Sequence, residues 1–244
     1  MASIEIAGRP IMTLPNSYLD KIRHIYLFDN LSDAEFKQVS EHSKLVKFAT
    51  GEILYSQGDY CHHFYVVFDG VMKLFHAAPN GTERVLELIG AGQLLGEDAM
   101  FIGQYSTHAV ALEPSHVIAF DSRTFVNLLH TNPELCLRMM TLMSHRQQNL
   151  IDEIGNLTLQ SAIQRITQYL IKENGSLAEL DGVVRFNANK QVIASRLGVT
   201  PETFSRIIGK LRNEGMIDCI KDSIVLKNVA SLRQVADGMI SLNR

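Results

Sequence analysis

The chain has 244 residues, 46 % apolar and 20 % charged, with a formal net charge of −3, which excludes disordered, collagenous and fibrous classes and leaves ample material for a buried core. No run approaches the roughly 18–20 consecutive apolar residues of a membrane span, and the N-terminal segment lacks the pattern of a secretory leader, so the chain is read as cytoplasmic with no membrane partner. The charge is partitioned: residues 1–155 hold 11 Lys and Arg against 18 Asp and Glu, residues 156–244 hold 12 against 8, which points the terminal third at a polyanion.

Residues 15–44 read as short helices. Ser32 with Glu35 forms a capping box ahead of the apolar positions Phe36, Val39 and Leu45. From residue 45 to 125 short apolar runs (LVKF, HFYVVFDG, VMKLFHAAPNG, TERVLELIGAG, HVIAFD) alternate with turn signals, the pattern of an antiparallel sandwich or roll. Asn80-Gly81 predicts a two-residue hairpin loop.

Residues 133–157 carry no Gly or Pro between Pro133 and Gly155, which predicts one long helix opened by that proline. Cys136, Met140, Met143, Gln147, Leu150, Ile154 and Leu157 fall at heptad spacing on it. With Gln147 as the one polar member, they predict the seam of a parallel homodimer. Met139 and Leu142 are left to face the roll. The alternative is a helix packed only on its own β domain.

A new unit follows: an amphipathic helix ending at Gly175, a strand at VVRF, and then ANKQVIASRLGVTPETFSRIIGKLRNEGMID. In a helix-turn-helix frame started at Lys190, Ile193, Leu197, Val199, Phe204 and Ile207 take the buried positions. Ala194 is the small contact between helices, and Gly198 the turn residue. Thr200 as N-cap and Pro201 in the first turn put Glu202, Thr203, Ser205 and Arg206 on the leading end that enters a major groove. Arg206 suits the O6 and N7 of guanine, Glu202 a cytosine amine, and Ser205 or Thr203 thymine or phosphate. Gln191 opens the preceding helix, where it would clamp phosphate. GMIDCIKDSIVL reads as a two-stranded wing. Double-stranded DNA is the partner these residues imply.

Taken together, the β segment, long helix and winged helix-turn-helix resemble the Crp/Fnr family of transcription regulators from about residue 25 to 227. Gly51, Gly58 and Gly70 match the turn glycines of its cyclic-nucleotide-binding-type roll, and Gly96-Glu97 the start of its phosphate-binding cassette. The resemblance implies an α+β chain with three parts: a sensor domain over 1–130, a dimerisation helix over 131–157 and a DNA-binding domain over 158–244. It further implies a homodimer, RNA polymerase as a partner, and no enzyme activity. The stretch from Glu202 to Arg206 is similar to the Fnr-type reader, which implies the inverted repeat TTGAT-N4-ATCAA.

The effector pocket, expected at Gly96, Glu97, Tyr105, Leu150 and Ile151, departs from the family pattern. Tyr105-Ser106 stands where nucleotide sensors carry Arg-Ser, and Leu150-Ile151 where they carry Thr-Ser. Burying a phosphate without a counter-charge costs several kcal/mol, so cyclic AMP is not expected. Cys61, Cys136 and Cys219 form no CxxC pair and none lies in the N-terminal segment, so no iron–sulfur cluster is expected.

The stretches AMF, IDEI, NLTLQSA and KQVIASRL with PETFSRI are most similar to the Dnr/Nnr-type branch, which implies nitric oxide sensing through haem b in control of denitrification or nitrosative stress. All nine histidines precede residue 146, and His24, His62, His63 and His145 are the haem-ligand candidates by position. The same regulator with an organic or redox effector is the alternative. A regulatory subunit that never meets DNA is opposed by the helix-turn-helix and the basic terminal third. An enzyme is opposed by the lack of a nucleophile elbow, P-loop, HExxH or paired carboxylates, Asp152 and Glu153 reading as helix surface.

Overall fold

The computed structural model describes residue 12 and residues 14–176, 182–186, 188–220 and 223–240. The chain divides into two compact units, Met1–Gln148 and Asn149–Arg244, with the boundary inside the long helix.

The first unit opens with α1 (Asn16–Arg23) and α2 (Asp33–Glu41). Ser32 caps α2 as its spacing predicts: its hydroxyl accepts from the Glu35 amide, and the Glu35 carboxylate accepts from the Ser32 amide. Eight strands follow: β1 (Ser43–Phe48), β2 (Ile53–Tyr55), β3 (His63–Asp69), β4 (Met72–Ala77), β5 (Glu83–Ile89), β6 (Leu94–Leu95), β7 (His108–Ala111) and β8 (Ser115–Asp121). They form two antiparallel four-stranded sheets, ordered β1-β8-β3-β6 and β2-β7-β4-β5.

The run FYVV in β3 is buried on both faces because its sheet is covered on both sides. Tyr65 and Val67 pack with Leu54, Met72 and Leu74 of the other sheet. Phe64 and Val66 pack with Phe28, Phe125 and Met139 on the helical side. Alternate residues of one strand thus serve two cores, as a period of two requires.

In the first unit three features differ from the sequence expectation. The β4–β5 hairpin turns through three residues, since the Ala78 amide still donates to the Thr82 carbonyl at 2.9 Å. Pro79 has a fixed φ suited to the first turn position, and Gly81 at φ +80 closes the loop, the usual form of a three-residue hairpin loop. Two helices are additional: α3 (Ala99–Ile102) and α4 (Ser122–Thr131). The α4 helix is capped by Asp121, whose carboxylate accepts from the Thr124 amide at 2.7 Å.

Helix α5 (Pro133–Leu159) starts where Pro133 places it, with Asn132 accepting from the Leu135 amide at 2.9 Å. Its faces separate. Leu135 and Met139 are buried, and Leu142 packs beside them. Met140, Leu150 and Ile154 are 59 %, 48 % and 62 % exposed in the single chain, and Gln147 is exposed too. Cys136 and Leu157 are half-buried. Met143 packs against the helical core of its own unit.

The second unit comprises α6 (Ala162–Ser176), β9 (Val183–Arg185), α7 (Lys190–Arg196), α8 (Pro201–Asn213), β10 (Ile217–Ile220), β11 (Ser223–Leu226) and α9 (Val229–Ala236). The wing sheet has three strands and not two, ordered β10-β11-β9, because VVRF pairs with SIVL through Val184 opposite Ile224.

Candidate nucleic-acid interface and sensor pocket

The reading head is built as its spacing predicts. Asn189 caps α7, its side chain accepting from the Val192 amide at 3.0 Å. Ile193, Ala194 and Phe204 are at most 1 % exposed and lock α7 to α8, while Leu197 and Val199 pack at the edge of the same core. Gly198 takes φ +65 in the turn. The Thr200 hydroxyl accepts from the Thr203 amide at 3.2 Å, and Pro201 begins α8.

With Phe204 and Ile207 turned inward, Glu202, Ser205 and Arg206 are exposed at the start of α8, and Gln191 is exposed on α7. Arg206 makes no hydrogen bond or ion pair with another described residue, so its fork is open to a base edge. The Glu202 carboxyl is held below the usual carboxylate range by its own backbone amide and then by the Thr200 hydroxyl, which keeps it ionised as an acceptor. Thr203 is half-buried and its hydroxyl accepts from that of Thr200 at 3.2 Å; it serves the cap first.

The cassette of the roll has a different chemistry. Glu97 is 6 % exposed. It accepts a hydrogen bond from Arg146 on α5, whose other amino group donates to Glu87 at 2.7 Å. Burial works against the charge of Arg146, and Glu97 and Glu87 more than offset it, so the guanidinium is held charged. Tyr105 stacks on Tyr55 with centroids 3.8 Å apart and planes 7° from parallel, and its hydroxyl donates to the His63 carbonyl at 2.5 Å. Burial pushes the Tyr65 hydroxyl beside it up to about 12. Gly96 is held at φ +74, and a Cβ there would lie 2.9 Å from the Tyr105 ring. Leu150 and Ile151 are about half exposed and lie in the second unit.

Residues 45–132 match the cyclic nucleotide-binding domain family and residues 164–235 the Crp-like helix-turn-helix domain family. The nitrogen fixation regulation protein FixK of Bradyrhizobium diazoefficiens is 28 % identical over 93 % of this chain and 97 % of its own. The fumarate and nitrate reduction regulatory protein of Escherichia coli is 29 % identical over 76 % of each chain. The solved structure of FixK2 from Bradyrhizobium japonicum shares the fold with a TM-score of 0.71 at 18 % identity, over 79 % of this chain and 96 % of that one. The chain belongs to the Crp/Fnr family of transcription regulators. Its relatives are regulators and not enzymes, and no described helix of this Crp/Fnr regulator is long and apolar enough to cross a membrane.

Of the candidate haem-ligand histidines, His62 and His63 are adjacent, while His24 is the C-cap of α1 and His145 lies on α5. His24, His62 and His145 are exposed and His63 is half-buried, where burial lowers the pKa of its imidazole. Haem asks for an axial donor beside an apolar slot. The cassette instead presents the ion pair of Arg146 with Glu97 and Glu87, and stacked tyrosines. An ion pair lining the cassette does not fit an apolar macrocycle.

Sequence reasoning missed Arg146. It lies 49 positions from Glu97 with no local spacing to betray the pair. The available signal was a cation on an otherwise uncharged turn of the long helix, MSHRQQ.

Proposed function

We propose that this Crp/Fnr regulator acts as a homodimer that places one α8 in each half of a TTGAT-N4-ATCAA inverted repeat, with the roll as a small-molecule sensor. What carries the DNA reading is the capped start of α8, with Glu202, Ser205 and Arg206, which has no partner among the described residues, exposed together. In support of the dimer, Met140, Leu150 and Ile154 stand exposed along α5 with the polar Gln147 among them, a largely apolar face of the kind that a second copy covers. An effector that changed how α5 packs on the roll would shift the population of dimers whose reading heads match the half-site spacing. RNA polymerase is the downstream partner of such a regulator.

Nitric oxide through haem b rests on the resemblance to the Dnr/Nnr branch alone, as does a role in nitrosative stress or denitrification. The same regulator with an organic or redox effector is the alternative.

The test is anisotropy of a labelled TTGAT-N4-ATCAA duplex, titrated anaerobically with apo protein and with protein carrying cyclic AMP, haem, or haem plus nitric oxide. Preference for this duplex over random DNA supports the reader, and equal binding to both rejects it. Tight binding only with haem plus nitric oxide supports that effector, and equal binding in all four states discards it. Sedimentation of Leu150→Glu tests the dimer: a fall to monomer is expected, and an unchanged species removes the seam.

A further inference from the structure

The first turn of α6 carries a cation, Arg165, whose guanidinium reaches carbonyls outside α6. Arg165 Nε donates to the Leu197 carbonyl at 2.9 Å, Nη2 to the Gly198 carbonyl at 3.3 Å, and Nη1 to the Gln160 carbonyl at 2.6 Å. A guanidinium offers five N–H donors in a planar fork, and here three of them go to carbonyls from two places in the chain.

Both places are helix ends. Leu197 is the C-cap of α7. Gln160 follows the last residue of α5, and its amide still donates to the Asn156 carbonyl at 3.1 Å. Terminal carbonyls lack intrahelical partners and carry the negative end of the helix dipole, so one cation serves the ends of α5 and α7 together. For α6 itself the placement is unfavourable, because a cation in the first turn opposes the positive end of that helix. Local helix stability therefore does not explain Arg165; the two helix ends do.

The carbonyls it holds are those of the turn that aims the reading helix. Only Val199 separates Gly198 from Thr200, the N-cap of α8. We infer that Arg165 is a positioning residue for DNA reading, fixing the start of α8 to the end of α5 through one guanidinium. The inference deepens the proposed reading of two half-sites, since a reading helix tied to the long helix has a set spacing to its counterpart. A looser tie makes that spacing tolerant. Lysine would not replace it, because a single ammonium cannot span three carbonyls in a fixed plane.

The test uses the full chain as wild type, Arg165→Gln and Arg165→Lys. Affinity is measured for duplexes with three, four and five bases between half-sites and for random DNA. Amide exchange is followed at Gln160–Ser161, Val199–Thr203 and Leu211–Ile217. Arg165→Gln is expected to lose about tenfold of the preference for the four-base spacer, with affinity for random DNA within about twofold. Exchange should rise at the first two segments and not at the third, with Arg165→Lys intermediate. Retained spacer preference with unchanged exchange at Val199–Thr203 overturns the inference. So does exchange that rises evenly across all three segments, which would mean that Arg165 only stabilises the unit. If the wild type shows no spacer preference, the operator reading fails, and the exchange pattern alone decides the role of Arg165.

Discussion

Arg146 on α5 is bonded to Glu97, a carboxylate with 6 % of its surface exposed and a second oxygen that has no partner among the described residues. Removing the cation leaves a buried charge uncompensated. Arg146→Met is expected to destabilise the first unit by about 3 kcal/mol, at the low end for a broken buried pair because the Arg146 side chain is 28 % exposed. Arg146→Met with Glu97→Gln should recover more than half of the loss. Urea unfolding of both variants checks this, and a single variant as stable as wild type rejects the pair as a stabilising contact.

Arg206 stands open at the start of α8, where a guanidinium fork matches the guanine O6 and N7. Arg206→Ala should weaken binding to the inverted repeat by about 1–3 kcal/mol and relax preference at the guanine position. Affinity for random DNA should change little. Titration of duplexes substituted at that base decides it; equal loss on all sequences would assign Arg206 to phosphate.

Gly96 and Gly51 separate two costs of a methyl group. Both have positive φ, +74 and +81, but a Cβ on Gly96 would press on Tyr105 whereas one on Gly51 would meet nothing within 4 Å. Gly51→Ala is expected to cost about 1–2 kcal/mol for the left-handed backbone. Gly96→Ala should cost about 1–3 kcal/mol more, because the ring it strikes is stacked and cannot yield. Thermal unfolding that finds the two equal would show that the Tyr105–Tyr55 stack is soft.

His63 gives the fold a pH dependence of known sign. Burial lowers its pKa below the ordinary 6.5, so the unfolded chain binds the proton more readily than the folded one. Stability therefore rises with pH: the penalty is absent above 6.5 and grows as pH falls below that value. His63→Gln should unfold with a smaller difference between pH 5.5 and pH 7.5 than wild type. Urea midpoints at the two pH values test this, and an equal difference assigns the slope to other groups.

The reading head was legible because its signals are local. Thr200, Pro201, Gly198 and the apolar positions of α7 and α8 lie within about twenty residues, and each reports backbone geometry directly. The strands were legible as a class, since the apolar runs and turns recur, but β6 has two residues and offers no period to read. Helix α4 was missed because it follows β8 without a break, its cap Asp121 being the last residue of the strand. Arg146 was illegible for a different reason. The sequence shows Tyr105 in place of an arginine, and the cation that bonds Glu97 arrives from Arg146 on another element. Contacts between distant segments leave no mark on local spacing.

The origin of α5 is pinned. Asn132, which caps its first turn, donates to Glu35 at 2.7 Å, and the same carboxylate closes the capping box of α2. Asn30 donates to Glu134, and Arg138 bonds Asp29 one turn further on. Sliding the helix by a single residue would break all of these together. A disturbance in the roll can tilt or bend α5 but not translate it along its axis: the helix is a lever with a fixed fulcrum and not a piston.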